Sequence, residues 1–452
     1  MKKTSEASNL QREKLLGSLF ESYQGPAFAV RLWDGWRWQF PPRGIPASTL
    51  VVNSPRALRL LVMRPSEVTL GEAFLSKEID VEGDLFSVFD VAEHVFHCPK
   101  GRRQRIFEAL WGAFLGIGEW WKAGPRHSQQ RDSNAISYHY DQPVAFYEPW
   151  LGRTLAYSCA YFRSPSESID EAQTNKLELI CQKLRLSPCE RFLDIGCGWG
   201  SLILHAALRH KVEAHGITIS REQVTVAEAR IEAAHLTQSC SVLLMDYRRA
   251  PNQSIPFDKI SSVGMFEHVG LKKLPLYFRT AHSMLRPGGV FLNHGIARAH
   301  ASSDPGTSFL DGSVVPFLRN VLQLSRPTHS SFIDKYVFPD GELVTLSQAM
   351  RAAEYAGFEV RDVENLREHY ELTLRCWVDG LRRNAEHLMG LVSETTYRIW
   401  LLYMAGSAAA FRRGDIAVYQ MLLSRPDRGK SNLPLTREDW YSHLQSEEEI
   451  EV

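Results

Sequence analysis

A glycine-rich turn between a strand pattern and a helix pattern limits the folds open to this chain. Residues 191–195 (RFLDI) are a short apolar run typical of a buried strand, and residues 201–210 (SLILHAALRH) have the period of an amphipathic helix. Gly196, Gly198 and Gly200 lie between them. Glycines let the backbone approach a ligand closely, and a helix N-terminus presents free N–H groups to a carboxylate. The context predicts a strand, turn and helix that hold a nucleotide-like ligand.

The spacing of the glycines separates this loop from dinucleotide sites. Its pattern is Gly-x-Gly-x-Gly, whereas dinucleotide sites use Gly-x-Gly-x-x-Gly and an acidic residue about 20 positions later. Here that region reads GITISREQ (216–223), with no acid at the strand end. The tighter loop, led by Asp194 and containing Trp199, resembles that of class I S-adenosylmethionine methyltransferases, where it cradles the methionine part of the cofactor. A glycine-rich turn without a ligand is the alternative.

Helical patterns alternate with short apolar runs from Asp170 onward, which predicts a mostly parallel sheet wound on both sides. The predicted fold class is therefore α/β, with a doubly wound, Rossmann-like sheet and a smaller N-terminal α+β domain. We place the small domain at residues 1–121, a linker at 122–137, the catalytic domain at 138–428 and a polar C-terminal tail at 429–452. The aperiodic stretch 297–331 is expected to form an inserted loop or lid.

Composition argues against several classes of partner. Lys plus Arg and Asp plus Glu each number 52, so no net field favours nucleic acid or an anionic bilayer. The charged N-terminal stretch lacks a signal-peptide apolar region, and no apolar run reaches the ~18 residues of a spanning helix, so we expect a cytoplasmic protein. The seven cysteines include no Cys-x-x-Cys pair, so we expect reduced thiols and no metal site.

Several motifs resemble those of one enzyme family. Residues 157–162 (YSCAYF) resemble the YSCAY signature of cyclopropane-fatty-acyl-phospholipid synthases and mycolic acid cyclopropane synthases. Further matches follow in that family's order at residues 139–141 (HYD), 216–223, 246–248 (DYR), 264–270 (GMFEHVG), 334–339 (DKYVFP) and 409–412 (AAFR). The resemblance runs from residue 139 to residue 425, and the N-terminal region matches the family's smaller first domain more faintly.

The resemblance implies a cofactor, a bound ion and an activity. S-adenosylmethionine would be held by Tyr157, Ser158, Asp194, Gly196, Gly198, Trp199, Gly200, Thr218, Gln223, Asp246 and Tyr247. A bicarbonate ion would be bound at the catalytic residues Cys159, Glu267, His294 and Tyr370 and at the backbone of Ile296. The implied reaction transfers the methyl group of S-adenosylmethionine to the double bond of an unsaturated phospholipid acyl chain. Bicarbonate-assisted deprotonation then closes a cyclopropane ring.

The chemistry of this reaction explains why such residue types are needed. An isolated alkene is a weak nucleophile, and its attack on a sulfonium methyl leaves a carbocation that needs a dry pocket. Aromatic faces stabilise such a cation. The candidates are Tyr140, Phe146, Tyr147, Tyr161, Phe266 and Trp377. Ring closure then requires a base within hydrogen-bond reach of the new methyl group.

Each of the same residues also has an interpretation in which its role is only structural. Glu267 alone would be a helix cap or surface residue, His294 a hydrogen-bonded core histidine, Tyr370 part of a helix face and Cys159 a small buried side chain. The five ion-binding positions together, in family order, favour the functional interpretation. Residues 406–411 read GSAAAF where family members often have a cysteine, so no catalytic thiol exists at Ser407.

Three other functions remain as alternatives. The same fold could methylate an acyl chain to a methylene- or methyl-branched product, because placement of the base to within about 1 Å decides the outcome. A non-catalytic lipid-binding relative is an alternative of another class, and the intact Glu267, His294 and Tyr370 count against it. Methylation of a small phenol or amine would leave the cysteine and bicarbonate set without a use.

An enzyme that acts on membrane lipid needs an apolar docking surface. Residues 107–121 (FEALWGAFLGIGEWW) and the cluster Trp33, Trp36 and Trp38 suit a membrane interface. Packing within the small domain or against a second subunit is the alternative. We therefore expect a peripheral enzyme in transient contact with the inner membrane face, and the resemblance alone implies a homodimer.

Overall fold

The computed structural model describes residues 13, 16–17, 20–57, 67–97, 142–252, 255–298, 332–337 and 342–440. The chain divides into two compact units. The first contains residues 1–124, 308–339 and 385–409, and the second contains residues 125–307, 340–384 and 410–452. The predicted linker 122–137, the apolar stretch 107–121, Tyr140 and nearly all of the predicted insertion 297–331 lie outside the described residues.

The described residues form the following elements in chain order. The strands are β1 (Phe28–Leu32), β2 (Arg37–Phe40), β3 (Ser48–Val52), β4 (Ile79–Gly83), β5 (Arg191–Ile195), β6 (Glu213–Thr218), β7 (Cys240–Leu244), β8 (Phe257–Val263), β9 (Leu285–Arg298), β10 (Glu359–Asn365) and β11 (Ile416–Ser424). The helices are α1 (Glu67–Leu75), α2 (Leu85–His97), α3 (Val144–Leu151), α4 (Ile169–Leu184), α5 (Ser201–His210), α6 (Arg221–Ala233), α7 (Leu274–Met284), α8 (Phe332–Tyr336), α9 (Leu346–Tyr355), α10 (Arg367–Arg383), α11 (Ala385–Leu391) and α12 (Glu394–Arg413). Within this described part, no helix is both long and apolar enough to cross a membrane.

The first unit is built around a four-stranded sheet in the order β2-β1-β3-β4. Strands β1 and β3 are parallel, and the other two pairings are antiparallel. Trp38 packs edge-on against Phe28, with ring centroids 5.9 Å apart, while Trp33 is exposed and Trp36 half-buried. The expected Trp cluster is thus split, since one of its three rings belongs to the packing of the small sheet.

Two segments predicted to belong to the catalytic domain join this first unit instead. Residues 385–409 contribute Arg398, whose buried guanidinium donates from Nε to the Phe74 carbonyl over 2.9 Å and lies 3.9 Å from the centre of the Phe74 ring. Residues 332–337 contribute Phe332, which packs so closely on Gly71 of α1 that a Cβ there would lie 2.3 Å from its ring. The unit therefore differs from the continuous domain 1–121 because long-range packing, not chain order, assembles it.

The second unit contains a seven-stranded sheet in the order β10-β11-β9-β8-β5-β6-β7. Strands β5 to β9 run parallel to one another, and β11 is antiparallel to both β9 and β10. Alternate residues of β5 feed two apolar cores, since Phe192 packs with residues of α4, α5 and α6 while Leu193 packs with residues of α7 and α9. The predicted doubly wound α/β fold is confirmed.

The predicted polar tail begins as part of this unit. Trp440 is buried, and the cationic groups of Lys183, Arg185 and Arg437 lie 5.3–5.7 Å from its ring centre. Asp439 also accepts from Arg185 Nε over 2.6 Å. Residues 429–440 therefore pack on the catalytic unit rather than leaving it at 428, because apolar and cation–π contacts outweigh the polar composition of the segment.

Candidate functional site

A cleft with about 1220 Å³ of empty space opens where β5, β6 and β8 end. Ten of the eleven predicted cofactor residues line it: Tyr157, Ser158, Asp194, Gly196, Gly198, Trp199, Thr218, Gln223, Asp246 and Tyr247. Gly200 does not line the cleft. It starts α5 with φ +82°, and a Cβ there would lie 3.2 Å from Ala227 of α6, so its role is to let the loop turn into the helix.

Asp194 supports the glycine loop from the end of β5. Its Oδ1 accepts from Ser261 Oγ over 2.6 Å, and burial raises the pKa of its carboxyl to about 6 although Lys176 acts in the opposite direction. On the neighbouring strand, Thr218 Oγ1 donates to Gln223 Oε1 over 2.6 Å. Both pairs fix polar groups at the mouth of the parallel strands, where α/β sheets bind ligands.

Asp246 is engaged by a residue that the sequence analysis did not assign to the site. Arg248 Nη2 donates to Asp246 Oδ2 over 2.6 Å, and Arg248 Nε contacts both carboxylate oxygens at 2.9 and 3.0 Å. The neighbouring Tyr247 and Met245 also line the cleft. The Asp-Tyr-Arg motif contained the signal for Arg248, because a positive charge two residues from an acid in a tight turn folds back onto it.

Lys176 and Gln173 of α4 are further site residues that sequence reasoning missed. Lys176 is 2% exposed, lines the cleft and donates from Nζ to Ser158 Oγ over 2.9 Å. Burial lowers the pKa of Lys176 to about 8. Gln173 Nε2 donates to the carbonyls of Ala156 and Ser158. Two polar side chains of α4 therefore fix the position of the YSCAY-like segment.

Glu267 lies in the short turn Phe266–His268 after β8 and faces β9. Its Oε1 accepts from the backbone N–H of Ile296 over 2.7 Å, whereas its Oε2 is buried and has no hydrogen-bond partner among the described residues. Burial raises the pKa of this carboxyl to about 7. Gly295 allows the approach, since a Cβ there would lie 2.8 Å from the Phe266 ring. The Ile296 N–H that the resemblance assigned to bicarbonate is therefore already donated to Glu267.

His294 stands in line with two polar side chains across three neighbouring strands. The strand register pairs Glu364 of β10 with Gln420 of β11, and Gln420 with His294 of β9. Buried Lys183 of α4 contacts the Glu364 carboxylate and donates to Gln420 Oε1 over 2.7 Å. Gln420 Nε2 then lies 3.2 Å from His294 Nδ1. We call Lys183, Glu364, Gln420 and His294 together the β-lane.

The β-lane fixes which nitrogen of His294 carries the proton. A lysine only donates, so the amide oxygen of Gln420 faces Lys183 and its NH₂ group faces the imidazole. Nδ1 of His294 must accept that hydrogen bond. Burial, with the charges of Lys176 and Lys183, lowers the pKa of His294 to about 3, so the ring is neutral at pH 7 and its proton resides on Nε2. No described residue provides a hydrogen-bond partner for this buried Nε2.

Cys159 and Tyr370 meet at the start of α10. Buried Cys159 Sγ donates to the carbonyls of Ala160 and Leu366, and the backbone N–H of Tyr370 donates to the same Leu366 carbonyl. Burial raises the pKa of the Cys159 thiol, so it is protonated at neutral pH. Leu366 N–H in turn donates to Val418, the cross-strand neighbour of Ile296. A chain of backbone contacts therefore joins all five predicted ion-binding residues.

The donor and acceptor set at these five residues suits a small oxyanion. It offers a neutral imidazole N–H and a phenol as donors, together with a carboxyl whose pKa near 7 permits either role, while the Cys159 thiol proton is shared with backbone carbonyls. Two of its buried polar atoms, Glu267 Oε2 and His294 Nε2, lack partners among the residues that the structure describes. Buried polar atoms without a partner are costly, which favours a bound polar group at these atoms. None of the five lines the cofactor cleft itself, although their chain neighbours Ser158 and His268 do.

Aromatic side chains surround this region. Phe146, Tyr147, Phe266 and Trp377 are buried, and Tyr161 stacks on His369 with centroids 4.7 Å apart. Tyr157, which lines the cleft, lies 5.3 Å from the Trp377 ring centre. The tyrosine and tryptophan rings that line the cleft are therefore Tyr157, Trp199 and Tyr247, which were predicted as cofactor residues rather than as cation-stabilising ones.

Comparison with known proteins gives the same assignment. Residues 127–421 match the mycolic acid cyclopropane synthetase family, and residues 15–95 match a family described only as a domain of unknown function. The chain is 39% identical to a Pseudomonas putida protein named "Probable fatty acid methyltransferase", over 91% of this chain and 95% of that one. It is 36% identical to the cyclopropane-fatty-acyl-phospholipid synthase of Escherichia coli, over 64% of this chain and 66% of that one.

A solved structure agrees with this match. The mycolic acid cyclopropane synthase CmaA1, complexed with SAH and CTAB, aligns with 64% of this chain and 97% of its own, with a TM-score of 0.56 and 32% identity. SAH is the demethylated form of S-adenosylmethionine, which accords with the cleft at the glycine loop. The chain therefore belongs to the mycolic acid cyclopropane synthetase family and is an S-adenosylmethionine-dependent methyltransferase.

Proposed function

We propose that this protein is a cyclopropane-fatty-acid synthase that acts on unsaturated phospholipid acyl chains. The observation that carries the proposal is that two buried atoms, Glu267 Oε2 and His294 Nε2, have no hydrogen-bond partner within the described part of the chain. Methyl transfer to an alkene leaves a cation, and ring closure then needs a group that accepts a proton. The names of the Escherichia coli and Pseudomonas putida relatives support a fatty acyl substrate.

The glycine loop and residues 156–158, which contact α4, would bind the methyl donor. S-adenosylmethionine supplies an electrophilic methyl group on a sulfonium. Gly196 and Gly198, both with positive φ, turn the backbone around the methionine part. The ammonium of Lys176, next to Ser158 Oγ, provides a positive charge for the carboxylate of that part. The chain thereby orients the methyl group and excludes water from it.

The acyl double bond attacks that methyl group, and the new carbon–carbon bond forms as the sulfonium carbon bond breaks. A positive charge then develops on the chain carbon. Tyr157, which lines the cleft and lies 5.3 Å from the Trp377 ring centre, would stabilise this charge through its aromatic face. The buried surroundings keep water from trapping the cation.

Ring closure removes one proton from the added methyl group, and its electron pair forms the third ring bond. Glu267, His294, Tyr370 and Cys159 would hold a bicarbonate ion, which when bound supplies an oxygen base for this proton. His294 presents Nε2–H as a donor, and Glu267 can take up a proton because its pKa is about 7. The Ile296 N–H orients Glu267 rather than the ion.

The cellular setting follows from the proposed substrate. We propose a cytoplasmic, peripheral enzyme that contacts the inner membrane face transiently and acts as a homodimer. The absence of net charge means that its membrane contact depends on apolar side chains. Sedimentation with vesicles of phosphatidylethanolamine and phosphatidylglycerol, with the mass of the protein measured by light scattering, tests both statements.

The experiment expresses the protein in a host that lacks a cyclopropane synthase and analyses its lipids by mass spectrometry and proton NMR. A gain of one CH₂ with cyclopropane signals, lost in Glu267→Gln and kept in the exposed control Glu228→Gln, is the expected result. The same mass gain with vinylidene or alkene signals would instead identify a branched-chain methyltransferase. No gain from folded, cofactor-binding protein in a host with unsaturated lipids would refute activity on phospholipid.

A further inference from the structure

Three side chains with metal-binding atoms converge where α4 packs on α5, and a carboxylate contacts two of them. The Cys181 sulfur and one ring nitrogen each of His205 and His210 lie within 4.8 Å of one another. Glu178 joins them, since its Oε2 lies 2.8 Å from His205 Nε2 and 3.3 Å from His210 Nε2. None of the four lines the cofactor cleft, and the proposed reaction uses none of them.

Helix geometry explains the convergence. Glu178 and Cys181 are three residues apart on α4, so they share one face of that helix. His205 and His210 are separated by four residues, and His210 is the last residue of α5. Structural zinc sites commonly use a pair separated by two residues and a histidine pair separated by three to five. A glutamate at the position of the first cysteine explains why the search for Cys-x-x-Cys pairs predicted no metal.

Burial and charge at this contact between α4 and α5 suit a dication. Cys181 is fully buried, while the side chains of His205, His210 and Glu178 are 11%, 18% and 29% exposed, which leaves a path from solvent. The two imidazoles hold the pKa of Glu178 well below its usual range, so the carboxylate is charged. Burial raises the pKa of Cys181, and a bound metal ion would reverse that effect by stabilising the thiolate.

We propose that Glu178, Cys181, His205 and His210 form a binding site for one transition-metal dication, with Zn²⁺ the best fit. One sulfur, two imidazoles and one carboxylate match the ligands of zinc, whereas Mg²⁺ and Ca²⁺ take oxygen ligands. Binding forms four metal–ligand bonds and releases the Cys181 thiol proton to solvent. Bonds of about 2.0–2.3 Å require the ligand atoms to move closer together than they now lie, by rotation of the four side chains.

The metal would connect two helices that carry parts of the cofactor site. Helix α4 bears Lys176, and α5 begins at Gly200 of the glycine loop. A ligand that binds the folded state alone stabilises it by mass action. Zinc therefore acts here as a structural ion that holds α4 against α5, and its binding is measurable without turnover.

Co²⁺ is the spectroscopic probe for this site. Full-length protein stripped with a chelator and titrated with Co²⁺ should bind one equivalent, show the visible bands of tetrahedral cobalt and gain a sulfur-to-cobalt charge-transfer band in the near ultraviolet. Zn²⁺ should then displace it. Cys181→Ala should lose the charge-transfer band, whereas Cys240→Ala, which removes another buried cysteine of the same core, should retain it.

A second variant and a stability measurement complete the test. His205→Gln should weaken Zn²⁺ binding by at least about 100-fold, the upper end of the loss seen when supporting ligand partners are removed. Zn²⁺ should raise the melting temperature of the wild type and of Cys240→Ala, but not that of Cys181→Ala. Retained S-adenosylmethionine binding would show that each variant is folded. Failure of the wild type to bind stoichiometric Co²⁺, or a charge-transfer band that survives in Cys181→Ala, would overturn the proposal.

Discussion

Replacing Gln420 by glutamate should invert the proton position on His294 with almost no change of shape. A carboxylate at position 420 still accepts from Lys183, but its second oxygen now faces His294 Nδ1 as an acceptor. The imidazole must therefore place its proton on Nδ1, which leaves Nε2 bare. The donor that the proposed mechanism offers to a bound oxyanion is lost.

The size of the effect follows from the bond that is removed. A hydrogen bond to a charged group contributes about 1.5–3 kcal/mol. At about 1.4 kcal/mol for each tenfold change in rate, Gln420→Glu should lower kcat/KM by about 10- to 150-fold. Gln420→Met, which removes the hydrogen bond without forcing the inversion, should lose less. Initial rates with labelled S-adenosylmethionine and unsaturated phospholipid vesicles measure both.

The pH dependence separates the tautomer from a packing defect. In Gln420→Glu the new carboxylate raises the pKa of His294, and protonation at low pH restores a proton on Nε2. The ratio of variant to wild-type kcat/KM should therefore increase as the pH falls from about 8 to about 6. A ratio that does not change with pH, or an equal loss in Gln420→Met, would refute the role assigned to the β-lane. Unchanged S-adenosylmethionine affinity, by calorimetry, would exclude misfolding.

Three further predictions concern single residues of the catalytic unit. Burial raises the pKa of Glu267 from about 4.5 in the unfolded chain to about 7 in the folded protein. Folding stability is therefore lost as the pH rises from about 4.5 to about 7, so Glu267→Gln should increase the melting temperature at pH 8 and leave it almost unchanged at pH 4.5. The same change in melting temperature at both pH values would contradict this. Lys176→Met should weaken S-adenosylmethionine binding about 10-fold, and wild-type affinity should fall as the pH rises through about 8, the pKa of Lys176, while the affinity of the variant should not; calorimetric titrations at several pH values decide. Gly200→Ala should lower the free energy of unfolding by about 1–2 kcal/mol because φ is +82°, whereas Gly390→Ala, in a helix with open space, should not lower it; urea titrations compare them.

The cofactor loop could be predicted from the sequence because its signals are local. Strand, turn and helix follow one another within residues 191–210, and positive φ at Gly196, Gly198 and Gly200 is what the glycines predicted. The long-range motifs identified Glu267 and His294 through resemblance, but not what each contacts. The Ile296 N–H, for instance, was assigned to an ion and donates to Glu267.

The β-lane and the cluster of Glu178, Cys181, His205 and His210 could not be predicted in this way. Lys183 and Gln420 are 237 residues apart, and only the antiparallel register of β11 brings Gln420 opposite His294. A buried lysine and glutamine look like surface residues in sequence, because their burial depends on partners from other elements. The segments that join the first compact unit could not be predicted for the same reason, since an amphipathic helix does not specify which sheet covers its apolar face.

The make-up of that first unit restricts how the chain can be cut. Because Arg398 and Phe332 come from beyond residue 300 and pack on α1, a fragment that stops near residue 124 would leave the apolar faces of α1 bare. A fragment that starts there would carry a buried arginine and a phenylalanine with nothing to receive them. Proteolytic cleavage near residue 124 should therefore yield aggregates rather than two soluble fragments.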